Sequence, residues 1–453
     1  MPGNGCVRSR KAHLKMETNE RMSNRFWLLG VVALVLAGLL MACGSNYNSS
    51  SNGLVLVGSQ GSSVIQTYSF NLNSGHTSAI ANSTNDTGNE TCLLNGSPAS
   101  MVMHPAGTYA YVVFNASSQC PNATQPGIAV FQVKSDGNVA QVGNLVIPNS
   151  APNSGTLAID AAGKFLFVAN RATVNSSNQT TGPGSVSVFA IGSGGSLSEV
   201  PGSPFFPPAA SRVVDITSVA ATPTVFPGIG INGTQNSVCS VPGNSPPTSQ
   251  YLYAVDSNNY VVWEFSVDTS SGVLGAPLPA TAPTAFSTDV LPAGVAVDPC
   301  DRFVYVSGHQ NNKINAYTIC TVVNTSAGCP NADGSLVSVS GSPFAVSGSA
   351  SGLGPIVVDP FGNNVYVVGT LSNTLSGFKI SPQSGSLSAL TPATVATGLQ
   401  PKSIAIRADD NWAFVSNYGS QSVSQYSITP ATGALSVLPT ITTDNYPFGV
   451  AVK

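Results

Sequence analysis

Charge is the scarcest property of this chain. Only 8% of its 453 residues are charged, 16 Lys and Arg against 19 Asp and Glu, for a formal net charge of −3. Phosphate binding needs clustered Lys and Arg, so the balance excludes a nucleic-acid partner. Histidine is also rare: His13, His76, His104 and His309 are the four present. No two of the eight cysteines stand as Cys-x-x-Cys, which argues against zinc. There is no Gly-x-Ser-x-Gly elbow, no His-Glu-x-x-His and no phosphate loop. Asp333 to Ser335 superficially suggests a calcium loop but lacks further acidic ligands, so it reads as a hairpin turn and no metal or cofactor is expected. Trp27, Trp263 and Trp412 form no stacking pattern.

Glycine (45), proline (32) and short apolar runs are what the chain does have, with 42% hydrophobic residues overall. Solubility must then rest on Ser, Thr, Asn and Gln. The most regular stretch is Ser351 to Leu390, where IVVD, VYVVG, LSGFKI and SLSAL follow one another across turns at Pro360-Phe361-Gly362 and Ser384-Gly385. Val, Ile, Tyr and Phe runs punctuated by Gly, Pro, Asn and Ser predict a four-stranded antiparallel meander. Its final turn recurs as Ser74-Gly75, Asp136-Gly137, Gly194-Gly195, Ser271-Gly272, Asp333-Gly334 and Thr432-Gly433. That makes seven units of roughly fifty to eighty residues, the period of a propeller.

First strands read GTLAID, AGVAVDP, GPIVVDP and KSIAIRA, almost continuously apolar, as expected of an innermost strand buried on both faces. After Asn52 the chain supplies second and third strands with no first, and it closes on Tyr446 to Val452, a first strand with no successor. Joined, they complete one blade and remove the open edges. The predicted architecture is therefore all-β: a seven-bladed β-propeller over residues 53–453, interrupted in blade 4 by an insertion at about 222–249.

Arg21 and Arg25 precede an apolar run from Phe26 to Ala42, a secretory signal over residues 1–42 that is slightly short for a membrane span. Met22 offers a second start that gives a more ordinary signal length. Leu40 to Cys43 resembles the lipobox of bacterial lipoproteins, which implies lipidation of Cys43, a tether over 43–52 and a membrane partner through the lipid. An uncleaved anchor and a plain secretion signal are the alternatives. Export, to the periplasm or the outer surface, implies disulfides among Cys92, Cys120, Cys239, Cys300, Cys320 and Cys329. Placing each on a propeller face pairs Cys92 with Cys120, Cys239 with Cys300 and Cys320 with Cys329, one of fifteen connectivities, and free buried thiols are the alternative.

VVDPFGNNVYVVG and the Ser-Gly-x-Leu turns resemble the seven-bladed propellers of the lactonase family, also called YVTN-type repeats. The resemblance spans nearly all of the mature chain. It implies the fold directly, whereas its members include 6-phosphogluconolactonases, a muconate-lactonising enzyme and exported proteins without an assigned role. Enzyme-like members often open a first strand with Pro-His at the channel mouth. Here Ala99, Gly155, Ala293, Gly354, Lys402 and Phe448 take that place, so the histidine that would carry lactonase activity over is missing.

Lactone hydrolysis needs a base or a metal, with positive charge near the oxyanion. Lys402 is the best-placed cation. Arg171, Arg212 and Asp215 fall on the same face and, with Lys402, could hold a small anionic ligand or stand as solvated rim charges. His309 follows a second strand on that face and is a weak catalytic candidate beside Lys402. His104 occupies a turn position where local hydrogen bonds would satisfy it, and Asn115, Asn170 and Asn417 end second strands as turn residues. The reading that results is a monomeric, lipid-anchored binding or scaffold module of the cell envelope, whose partner at the propeller face is a protein or a small anionic ligand. The alternative is a lactone hydrolase acting at the channel mouth.

Overall fold

A computed structural model describes residues 52–80, 97–115, 126–143, 146, 154–174, 180–208, 212–223, 249–278, 286, 288, 291–321, 329, 331–346 and 350–453. In the stretch that set the repeat, Leu353–Val358, Asn364–Gly369, Thr374–Ile380 and Leu387–Ala396 form one antiparallel sheet in chain order. This is blade 6. Blade 2 repeats it with Ser97–Met103, Tyr109–Asn115, Gly127–Val133 and Val139–Gln141, and blade 3 with Ser154–Ile159, Phe165–Asn170, Ser185–Ile191 and Leu197–Glu199. Blade 5 comprises Pro292–Val297, Phe303–Gly308, Lys313–Ile319 and Leu336–Ser338, and blade 7 comprises Pro401–Ile406, Trp412–Asn417, Ser422–Thr429 and Ala434–Thr442.

The first and last described strands meet as expected. Asn52–Ser59, Val64–Asn71 and Thr77–Ala79 are completed by Pro447–Val452, which pairs antiparallel with Asn52–Ser59 through Val55↔Val452 and Val57↔Val450. This is blade 1. Around the axis each inner strand lies against the next, and Pro447–Val452 touches the inner strands of both blade 7 and blade 2, so the ring is closed.

Blade 4 is the exception. Ile216–Ala221, Gln250–Asp256 and Val261–Val267 form a three-stranded sheet, and its fourth-strand place is reduced to the bridges Val267↔Leu274 and Glu264↔Leu278. Its inner strand begins at Ile216. The predicted insertion over about 222–249 lies mostly outside the described residues, as do the signal segment, Cys43 and the tether.

The burial pattern corrects one expectation. It is the second strands, such as Phe165–Asn170, Phe303–Gly308 and Trp412–Asn417, that are buried at every position. The inner strands are half-buried at several, as in Leu353–Val358 and Pro401–Ile406, because they face the central channel. The hydrophobic core is accordingly distributed as apolar layers between neighbouring blades: Phe303, Ile314, Val365 and Phe378 fill the layer between blades 5 and 6. Each such aromatic contributes roughly 1.5–3 kcal/mol by leaving water.

The recurrent glycine turn now has a structural reason. Gly385 has φ +72°, and a Cβ there would stand 2.5 Å from the Phe303 ring, which opens the second strand of the preceding blade. The same seat is taken by Tyr251 under Gly334, Phe165 under Gly272, Tyr109 under Gly195 and Trp412 under Gly75. Two residues further along the strand a buried tyrosine locks the turn: Tyr305 donates to Gly385 O at 3.0 Å, Tyr253 to Gly334 O at 2.7 Å and Tyr366 to Gly433 O at 2.7 Å. The Asp that follows the inner strand is likewise structural. Asp359 Oδ1 accepts the backbone N–H of Phe361 and Asn363, and Asp160 Oδ1 accepts those of Lys164 and Phe165.

Cys320 and Cys329 form a disulfide across a separation of 9 residues, as expected. Cys300 is also disulfide-bonded. Cys92, Cys120 and Cys239 lie outside the described residues, and with them the two pairings predicted for them. No described helix is long and apolar enough to cross a membrane.

Candidate functional site at the channel mouth

A cavity of about 380 Å³ runs along the axis and is lined by all seven inner strands. Five of the six positions singled out at the strand starts, Ala99, Ala293, Gly354, Lys402 and Phe448, are in its wall. Its hydroxyls are partly engaged in holding the ring together. Ser100 Oγ accepts Leu157 N at 3.2 Å, Thr156 Oγ1 accepts Val219 N at 3.1 Å and Ser218 Oγ accepts Val295 N at 3.3 Å, each stitching one inner strand to the next.

Lys402 is the one charged residue among the described residues that line this cavity. It does not take part in any ion pair among the described residues. Its Nζ stands 5.9 Å from the centroid of the Tyr418 ring. Tyr418 stacks on Tyr446 at 4.9 Å and meets Phe448 edge-on at 6.4 Å, so the ammonium sits beside a small aromatic shelf. Cation–π attraction of roughly 0.5–1 kcal/mol orients it without neutralising it.

The other candidates lie elsewhere. Arg171 is held by Asp215, with Nη2 donating to Oδ2 at 2.8 Å and Nε to Oδ1 at 3.3 Å. Asp215 is buried and also accepts Ala172 N and Ser257 Oγ. Burial pushes its carboxyl up, yet the Arg171 charge and these hydrogen bonds outweigh burial and hold it below the ordinary aspartate range. Arg212 joins the same side through blade 4: its N–H donates to Asn259 Oδ1, its Nη1 to Asn258 O, and its guanidinium lies 5.1 Å from the Tyr260 ring centroid. None of these three residues lines the channel cavity. His309 does not line it either, and its Nδ1 lies 3.0 Å from Leu353 O. The candidates therefore do not converge on one opening: Arg171 is committed to Asp215 across the seam between blades 3 and 4, Arg212 to the Asn258–Tyr260 turn of blade 4, and His309 to Leu353 O, which leaves Lys402 at the channel.

His104 is satisfied as expected, with Nε2 3.1 Å from Gly163 O and Nδ1 accepting Ala106 N. Asn170 and Asn417 do more than end strands: their buried amides donate to Ser185 and Ser187, and to Ser422 and Ser424, on the third strand of their own blade.

Sequence reasoning overlooked a set of buried acids. Asp301 and Asp410 are buried with neither carboxyl oxygen hydrogen-bonded within the protein, and Glu264 is buried with Oε2 unpartnered. Burial, then the Asp298 charge, pushes Asp301 up to about 7, and burial, then Asp333, pushes Glu264 up to about 8. Asp410 is raised by burial and by neighbouring Asp359. A signal was available: Asp301 and Asp410 stand where the equivalent turns of blades 3 and 6 carry Gly163 and Gly362, and all four have positive φ.

The comparisons follow this geometry. Residues 331–451 match the family model described as "Lactonase, 7-bladed beta-propeller". The lactonase-like propeller is also the architecture of the similar solved structures. One from Bacteroides uniformis ATCC 8492, provisionally named a 6-phosphogluconolactonase, superposes with a TM-score of 0.63 at 17% identity, over 89% of this chain and 100% of that one. Another with the same provisional name, from Bacteroides fragilis NCTC 9343, gives 0.60 at 18%, over 90% and 99%. The periplasmic gluconolactonase of Pseudomonas aeruginosa gives 0.60 at 18%, over 89% and 99%. At such identities the likeness establishes the fold alone. No curated protein matches the chain.

Proposed function

We propose that this lactonase-like propeller is an exported, lipid-anchored module that binds a small hydroxylated anion at its channel mouth. The observation that carries the reading is Lys402, a lysine outside every described ion pair, on an inner strand lining a cavity otherwise walled by the hydroxyls of Ser100, Thr156, Ser218 and Ser403, by small residues and by apolar side chains such as Met101, Leu157, Ile356 and Phe448. A carboxylate there would gain charge-assisted hydrogen bonds from the ammonium. Hydrolysis would require a base to activate water, and none of the described lining residues is a His, Asp or Glu. Binding without turnover therefore fits the described wall better than catalysis. Export is supported by the Leu40 to Cys43 motif and by the Cys320–Cys329 disulfide, which persists in oxidising compartments.

Lactone hydrolysis is the second reading, favoured by the family match over residues 331–451 and by the gluconolactonase name of one similar structure. In it Lys402 would stabilise the developing oxyanion. A panel of aldonic acids tested for binding, and of the corresponding lactones tested for turnover, separates the two. Binding of acids that Lys402→Ala abolishes, with no lactone consumed above the uncatalysed rate, supports the module. Turnover lost in Lys402→Ala would establish the hydrolase instead.

A further inference from the structure

A second cleft, of about 550 Å³, opens on the outer side of the ring between blades 4 and 5. Its described wall contains the acids Glu264, Asp268 and Asp333 and no Lys, Arg or His. Two buried residues of its wall carry unsatisfied oxygens. Glu264 is 1% exposed with Oε2 unpartnered, and Gln250 is 1% exposed with Oε1 unpartnered. The Gln250 amide is not free to turn, because its Nε2 donates to Thr222 O at 3.2 Å. Glu264 is held in place by reciprocal backbone bonds with Leu278, of 2.8 and 2.7 Å. Across the cleft, Tyr251 Oη donates to Ala332 O at 3.1 Å and so fixes the turn that presents Asp333, whose Oδ1 accepts Ser335 N. Buried acceptors without donors are costly, on the order of 1–3 kcal/mol each, unless something supplies the donors.

We propose that this cleft binds a primary ammonium group, with Glu264 and Gln250 Oε1 on its floor and Asp333 on its rim. Three acceptor side chains on one cleft match the three N–H donors of an alkylammonium. Calcium asks for six to eight oxygens, and no group of three or more His, Cys, Asp or Glu among the described residues is placed to hold a metal ion. The volume also accommodates an alkyl chain, and Leu278 and Val267 supply apolar wall for it. The site shares no residue with the channel mouth and stands or falls independently of Lys402.

Binding should be linked to pH. The charge acting on Glu264 is Asp333 from blade 5; the nearby phenols of Tyr251 and Tyr253 are pushed up by burial and by Glu264, Asp301 and Asp333, and Asp268, on the rim, is held well below the usual carboxylate range by Ser270 and Ser271. Glu264 keeps its proton up to about 8, so an arriving ammonium gains a full ionic partner only as that proton leaves.

The test is calorimetric titration of the full chain in detergent with n-butylammonium, a mimic of the lysine tip, with 1-butanol, spermidine and Ca²⁺ as parallel arms. n-Butylammonium should bind with affinity that rises from pH 6 to pH 9, and 1-butanol should not bind. Glu264→Gln and Asp333→Asn should each weaken it by at least about tenfold, with the pH dependence lost in Glu264→Gln. Asp333→Asn alters a rim residue and keeps the test valid if the buried substitution disturbs folding. Tighter binding of spermidine than of n-butylammonium would identify a free polyamine, with Asp268 taking its second charge; equal binding would identify a single lysine-type ammonium. Equal binding of 1-butanol, wild-type affinity in both variants, or saturation by Ca²⁺ that n-butylammonium cannot displace would overturn the proposal.

Discussion

Replacing Asp301 by Asn should stabilise the protein at pH 8 and change little at pH 4. In the unfolded chain this carboxyl ionises near 3.8, whereas burial and the Asp298 charge hold the proton in the native state up to about 7. Between those values the native protein carries a proton that the unfolded chain has lost, so stability falls as pH rises and the loss levels off above about 7. A difference of about 3 pH units corresponds to roughly 4 kcal/mol, the upper limit of the gain from removing the charge. Asn keeps the size and shape of Asp and tolerates the φ of +59° found here, so backbone strain should not mask the effect. Urea unfolding followed by tryptophan fluorescence suits the measurement, because Trp263 and Trp412 are buried. The variant's advantage should grow steadily from pH 4 to pH 7. An advantage independent of pH, or a variant less stable than wild type at pH 8, would refute the assignment of a buried, unpartnered acid.

The blade latch gives a second expectation: Tyr305→Phe should cost about 1 kcal/mol through the lost bond to Gly385 O. Gly385→Ala should cost more, about 1–3 kcal/mol, because its Cβ meets the Phe303 ring, and thermal unfolding ranks the two. Replacing Cys320 and Cys329 together by Ser should cost roughly 2–3 kcal/mol for so short a loop, read as a lower urea midpoint under oxidising conditions. Truncation before Pro447 should expose the edge of Asn52–Ser59 and yield a protein that associates in solution, checked by light scattering.

Most of the fold was legible in the sequence because a propeller repeats its own evidence. Seven glycine turns in step with Val, Ile and Tyr runs define blades that no single run would have defined, and the unmatched strands at the two ends specified the closure at Pro447–Val452. Blade 4 was harder to read because its fourth strand is reduced to two bridges, which leaves little pattern to recognise. The candidate site was legible only at Lys402, whose position follows from strand register alone. Arg171, Arg212 and Asp215 were read onto one face with Lys402, yet sequence offers no measure of whether two opposite charges meet, and Arg171 and Asp215 do. The buried acids escaped notice because a lone Glu in VVWEF, or an Asp in a turn, looks solvated until the neighbouring blade covers it.

The central claim, that Lys402 makes the channel mouth an anion site, is tested most directly by titrating the full chain with gluconate. The account expects binding that weakens with added salt and falls at least about tenfold in Lys402→Ala, while His309→Ala binds as wild type. Gluconate binding unchanged in Lys402→Ala would contradict it.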